Sequence, residues 1–305
     1  MKMIKSTIVA LSISVSTATS LNAQKLPNKQ EISLEAPANV KIDGKMNEWG
    51  DKLQAYNKAT LIYYTMANDA DNLYLVVRIK DPGVINKAIS GAITLTVNPA
   101  DKKSDEKCPA VSFPLLNFAS TTAIRTNASL LSGFAKRVED AINAEHYNTN
   151  LKSTNTPKDS LLRVANKRLS EDTKEIKFSD IDGITDTVTG THTNKLKQFK
   201  FYPLFVIPGY YIPKENNLGI KTAASFEGDR KYTYELALPL KYLKVQPGKT
   251  FSYNIRLNGP MYKTGKPTGG YTVRFRLVNG RAIMEDRDLV EATDFWGEYT
   301  LAGKP

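Results

Sequence analysis

The chain contains a single cysteine, Cys108, among 305 residues. That excludes an intrachain disulfide and any metal site built from several thiolates. Histidine is nearly as scarce: only His146 and His192 occur, with no zinc-binding pair, and no nucleophile elbow is present. After the N-terminus no apolar run approaches the length needed to cross a bilayer, so no membrane span is expected. The formal charge of +11 is not concentrated in any long Lys/Arg run. It reads as a dispersed, solvated basic surface, or as a general affinity for anionic polymers. No nucleic-acid-binding motif accompanies it, so nucleic acid is not an expected partner. With no disulfide available, the fold must rest on its hydrophobic core, and this length suffices for one large domain or two small ones.

The first residues have the plan of a secretory signal peptide. Lys2 and Lys5 form a basic start, 8–15 are mostly apolar, and "STATSLNA" ends in small residues with a cleavage point after Ala23. Residues 1–23 are therefore expected to be removed, leaving a mature chain of 24–305 in the periplasm or secreted. No cysteine follows the apolar run, so a lipid anchor is not expected.

What the chain does have is period-two alternation, the mark of half-buried strands. "LIYYTM" (61–66) and "LYLVVRIK" (73–80) flank the polar loop "ANDADN" and read as a β-hairpin, with Leu73, Leu75, Val77 and Ile79 on one face. "AITLTVNP" puts Ile93, Leu95 and Val97 inward. In the last third, "KYTYELALPL" aligns Tyr232, Tyr234, Leu236 and Leu238. "FSYNIRLNG" aligns Phe251, Tyr253, Ile255 and Leu257, and "YTVRFRLVNG" aligns Tyr271, Val273, Phe275 and Leu277. "EYTLA" reads as a last short strand. Many short alternating strands punctuated by Gly, Pro and Asn predict an all-β antiparallel β-sandwich.

The stretch 101–200 differs: it is polar and lysine-rich, with two helical patterns. Leu131, Phe134, Val138 and Ile142 share one helical face. Thr156 and Pro157 suit the N-cap and first turn of a second helix, with Leu161, Leu162, Ala165 and Leu169 as its apolar face. The expectation is a single β-sandwich domain interrupted by a partly helical insertion lying outside the sandwich, where it could contact a protein partner.

"VKIDGKMNEWGD" (40–51), "IYYTMANDADNLYLVVRIKD" and "ITLTVNP" resemble the opening strands of carbohydrate-binding module family 9-like domains, within the DOMON-like β-sandwich group. "YTYELALPLKYL", "FSYNIRLNG" and "DFWGEYTLA" resemble the closing strands, in the same order. The resemblance covers about 32–100 and 200–302 and omits the insertion. It implies a non-catalytic module that binds an extracellular glycan or polysaccharide, with aromatic rings stacking on sugar faces. It also implies structural calcium in some members. A pair of clamping tryptophans cannot be matched, because both tryptophans fall in framework motifs. In the opening motif Val40 and Ile42 are expected to end a first strand, Asp43-Gly44 to turn, and Trp49 to pack over a sandwich edge, with sugar stacking as its other reading.

Outward positions of the strands carry Arg78, Glu235, Asn254, Arg256, Asn258, Arg274 and Arg276. Charged and amide groups of this kind pair with sugar hydroxyls, so Arg78, Glu235, Asn254, Arg256 and Arg276 are read as co-facing ligand-binding residues. Cross-strand ion pairing is the alternative for the same row. Tyr262 or Trp296 would supply the stacking ring, and Tyr202, Tyr210, Tyr211 and Tyr271 are further aromatic candidates. "DIDGITD" and "NDADN" offer carboxylates but lack the spacing of a calcium-hand loop. Two other functions stay open: a scaffold acting through the insertion, and haem held by ligands such as Met66, His146 and His192, as in some DOMON-like relatives.

Overall fold

The computed structural model describes residues 25–50, 53–115, 158–181, 210–227, 231–259, 275–278, 281–284 and 287–303. In chain order the elements are β1 (Ala55–Asn57), β2 (Ile62–Asn68), β3 (Asn72–Ile79), α1 (Pro82–Gly91), β4 (Ile93–Asn98), β5 (Ala110–Leu115), α2 (Lys158–Asp172), β6 (Glu175–Ser179) and β7 (Tyr210–Pro213). There follow β8 (Lys221–Glu227), β9 (Lys231–Pro239), β10 (Thr250–Leu257), β11 (Phe275–Val278), β12 (Arg281–Met284), α3 (Arg287–Val290) and β13 (Thr293–Thr300). One antiparallel sheet runs β1-β2-β3-β9-β8 and the other β13-β10-β4-β5-β6-β7, while β11 and β12 form a separate hairpin.

The two sheets are joined by one apolar core, as the alternation predicts. Leu73, Leu75, Val77, Ile79, Leu236 and Leu238 of the first sheet share it with Ile93, Leu95, Val97, Ile255 and Leu257 of the second. Aromatic residues bolt the layers together. Tyr64 meets Tyr253 hydroxyl to hydroxyl at 3.0 Å, and Phe113 stacks on Tyr234 with ring centroids 6.1 Å apart. Gly297 faces this core from β13: a Cβ there would lie 2.3 Å from Cζ of Tyr253. The glycine is needed for the ring's space.

The stretch 101–200 is not wholly outside the sandwich. β5 and β6 are consecutive strands of the second sheet, and Val111, Phe113, Ile176 and Phe178 are core residues. Their short apolar-polar alternation is diluted by the polar sequence around them. α2 is the helix anticipated there, and Leu162, Ala165 and Leu169 pack against the core as expected; Thr156, Pro157 and the side chain of Leu161 lie outside the described residues. It also ties down an edge. Asn166 donates to the Phe226 carbonyl at 2.9 Å and accepts from the Phe226 N–H at 2.7 Å, so an exposed stretch of edge strand β8 is satisfied by a side chain. The predicted helix around Leu131–Ile142 lies outside the described residues.

Three further expectations change. Val40 and Ile42 form no strand; with Leu34, Ala36 and Trp49 they cover Ala67, Tyr74 and Ala237 on the outward face of the first sheet. That face carries apolar residues at positions where a solvated sheet would be polar, and the N-terminal segment buries them. Of the predicted "YTVRFRLVNG" strand, Phe275–Val278 form β11, which among the described residues pairs with β12 rather than with either layer, and 271–274 lie outside the described residues. The final strand extends back to Thr293, pairing with β10 over eight residues.

α1 was not legible from alternation. Asp81 caps it, its Oδ1 accepting the Val84 N–H at 3.0 Å, and Pro82 opens the first turn. Lys87 on its buried face donates to the Asp288 carbonyl and, at 2.7 Å, to Thr293 Oγ1. Burial pushes its ammonium down to about 8.

Candidate functional site

The predicted row of polar residues is divided between two outward faces on opposite sides of the sandwich. Arg78 and Glu235 belong to the first sheet, where Arg78 pairs with Thr233 and Glu235 with Val76. Asn254 and Arg256 belong to the second. Alternation says which residues point away from a core, not which of two layers they are in.

On the first sheet both residues are already engaged. Arg78 is 6% exposed, and its Nη2 lies 2.7 Å from Oε2 of Glu227, whose Oε1 accepts from Thr233 at 2.8 Å. Glu235 is fully buried. Its Oε2 accepts the backbone N–H groups of Asp43 and Gly44 at 2.9 and 2.6 Å, and its Oε1 accepts the indole N–H of Trp49 at 2.7 Å. The opening motif is therefore a folded turn wrapped on one carboxylate. Gly44 takes φ of +82°, and a Cβ there would come within 2.8 Å of the β8 backbone, so the close approach requires glycine. Ser225 donates to the Gly44 carbonyl at 2.6 Å. Burial pushes the Glu235 carboxyl up to about 7, although its three donors pull the other way. Arg78 and Glu235 are thus both buried and bonded within the protein.

The second sheet does bring predicted residues together. Asn254 pairs in register with Trp296, and Arg256 with Asp294. Arg256 is 39% exposed at its side chain and lies 3.8 Å from both Asp105 and Asp294. Asn254 donates to Asp294 Oδ2 at 3.0 Å and to the Phe295 carbonyl at 3.1 Å. Trp296 is half-buried on the same face. A guanidinium, an amide, two carboxylates and an indole thus occupy adjacent positions of β10, β13 and the loop after β4. Asn258, by contrast, is structural: its amide donates to the Gly91 and Ala92 carbonyls at 3.1 and 3.2 Å.

Arg274, Tyr202, Tyr262 and Tyr271 lie outside the described residues, as do His146, His192, Asp182 and Asp186, and the side chains of Arg276 and Tyr210 are likewise outside them. Tyr211 is half-buried on β7. Met66 is a core residue. Asp69 uses its carboxylate within its own loop, accepting from the N–H of Asp71 and Asn72 and from the Tyr74 hydroxyl at 2.8, 2.7 and 2.6 Å. Among the described residues no group of three His, Cys, Asp or Glu could hold a metal ion, and no helix is long and apolar enough to cross a membrane.

A second surface was not anticipated. A cleft of about 430 Å³ opens between the 42–47 turn and α2, over β8. Asp43, Lys45 and Asn47 line one side and Asn166 and Ser170 the other; Lys214 and Glu227 also line it, and Ala223 and Ala224 belong to the strand below. Its residues come from four distant stretches of chain. The Asp43-Gly44 turn and the helix that carries Asn166 and Ser170 were each expected from the sequence; their juxtaposition was not.

In comparisons with known proteins, no family model matches the chain, and no curated protein matches it.

Proposed function

We propose that the protein is an exported, non-catalytic carbohydrate-binding module, and that it recognises an extracellular glycan on the outward face of its second sheet. The observation that carries this reading is the grouping of Arg256, Asn254, Asp294 and Trp296 at register-paired positions of β10 and β13. Sugar recognition needs these two components side by side: a flat ring for the C–H face of a pyranose, and planar donors and acceptors for its hydroxyls. The motif resemblance to family 9-like modules, the antiparallel sandwich and the signal-like N-terminus support the same reading.

Arg256 is held by two long ion pairs in a partly solvated setting, which contribute little to stability. Arg256→Ala should leave thermal unfolding nearly unchanged. A guanidinium bonded to hydroxyls in a complex contributes roughly 1.5–3 kcal/mol, so the same change should weaken glycan binding roughly ten- to a hundredfold. Trp296→Ala should weaken it as well. A glycan array followed by calorimetry on wild type and both variants tests this. If no neutral or acidic glycan binds at millimolar concentration, the module is a scaffold, and deletion of segments within 116–157 should release a protein partner.

A further inference from the structure

We infer that the 101–107 segment, in the loop between β4 and β5, is a flap that closes over the outward face of the second sheet and swings away to admit a ligand to Asn254 and Arg256. The gating role rests on the reading of that face as the glycan site; the motion itself is measurable without a ligand.

The path of the loop carries the inference. β4 ends at Asn98, level with Ser252 of β10. The loop is first anchored at that level. Asp101 accepts the Ser252 hydroxyl at 2.7 Å, and Lys103 lies 3.9 Å from Glu298, the register partner of Ser252. Asp105 then reaches Arg256, four residues further along β10, a distance of about 13 Å in an extended strand. The chain therefore doubles back over the outward face before the Val97 N–H bonds the Pro109 carbonyl and pairing resumes in β5. Asn254 lies between the two anchor levels and is only 4% exposed. A glycan hydroxyl meets its amide only after the cover moves.

The contacts that hold the loop down are weak. Six of the seven residues in "DKKSDEK" are charged, all seven are exposed, and none joins the apolar core. Both ion pairs are longer than a hydrogen bond and face water. Nε of Arg256 is buried without an acceptor, so Asp105 shields this guanidinium without satisfying it. Asp101 and Lys107, at the two ends, take φ of +52° and +53°, a left-handed backbone uncommon outside glycine. A stretch with so few buried contacts opens locally at low cost.

Cys108 reports on that opening. It is the single cysteine, buried at the base of the loop, and its thiol donates to the Ser104 and Glu106 carbonyls at 3.4 Å. Both acceptors belong to the flap, so opening uncovers the thiol to reagents.

Labelling of Cys108 by a chromogenic disulfide reagent, with hydrogen exchange of the Asn254 side-chain amide, tests the proposal on the full mature chain. Ser252→Ala removes the Asp101 anchor and should speed both rates about tenfold, with the thermal midpoint close to wild type. Asp105→Asn should speed them about twofold. Low urea concentrations should leave the wild-type labelling rate nearly unchanged, because local opening exposes little surface. The glycan whose binding Arg256→Ala weakens should bind Asp105→Asn about twofold more tightly. The flap is overturned if labelling climbs with urea as steeply as global unfolding, if Ser252→Ala leaves Asn254 exchange unmoved, or if Asp105→Asn weakens that glycan's binding. A face that binds no glycan is a separate failure, since neither rate needs a ligand.

Discussion

Burying Glu235 beneath the opening turn makes the stability of the protein depend on pH in a specific window. The carboxyl is pushed from its ordinary value of 4.5 up to about 7, chiefly by desolvation, and the neighbouring Asp43 carboxylate adds like-charge repulsion. A carboxyl whose value is raised on folding contributes stability that is fully present below about 4.5 and lost as pH rises through about 7. A difference of that size corresponds to about 3 kcal/mol. The perturbation is Glu235→Gln, which removes the titration while keeping the shape. Urea unfolding followed by circular dichroism at pH 5 and pH 8 gives the free-energy difference for each protein. Part of that loss is already taken at pH 5, so wild type should lose about 2–3 kcal/mol more than the variant between the two conditions. The variant should also be weaker than wild type at pH 8. An amide cannot accept on both sides, so either the Trp49 indole or the Asp43/Gly44 pair then faces an NH₂ group, at a cost of about 1–3 kcal/mol. The indole N–H resonance of Trp49 should move with pH only in the wild type. Identical pH slopes in the two proteins would refute the reasoning, because Glu235 would then titrate alike in the folded and unfolded chains.

Other expectations follow from close contacts and buried pairs. Gly297→Ala should cost about 1–3 kcal/mol of stability, read as a lower urea midpoint, because the new methyl displaces the Tyr253 ring from its bond to Tyr64. Gly91→Ala should be worse, since its Cβ would lie 2.3 Å from the backbone of Gly259, which cannot move aside as a side chain can. Asn166→Ala should cost about 1–3 kcal/mol and speed amide exchange at Phe226, whose N–H loses its acceptor. Arg256→Ala, measured in the same assay, should shift stability by less than about 1 kcal/mol.

The local pattern determined a good deal without any structure. Strict alternation at Leu73–Ile79, Ile93–Val97, Tyr232–Leu238 and Phe251–Leu257 decided strand identity and which side of each strand faces the core between the sheets, because a one-residue slip would turn every one of those apolar side chains to the opposite face. The helical face Leu162, Ala165 and Leu169 was readable for the same reason. What alternation could not decide was which layer a strand joins. Arg78 and Arg256 follow the same rule along the chain and finish on opposite sides of the molecule. Nor could it show that Glu235, outward by pattern, is sealed under a turn 191 residues away from it in the chain at Gly44. The outward face of the first sheet is covered by the N-terminal segment, and that pairing is a matter of tertiary contact between Val40, Ile42, Trp49 and Tyr74. The cleft is the extreme case. Asn47, Ser170 and Lys214 belong to separate elements and have no common periodicity, so only the packing of the turn and α2 onto β8 brings them to one place.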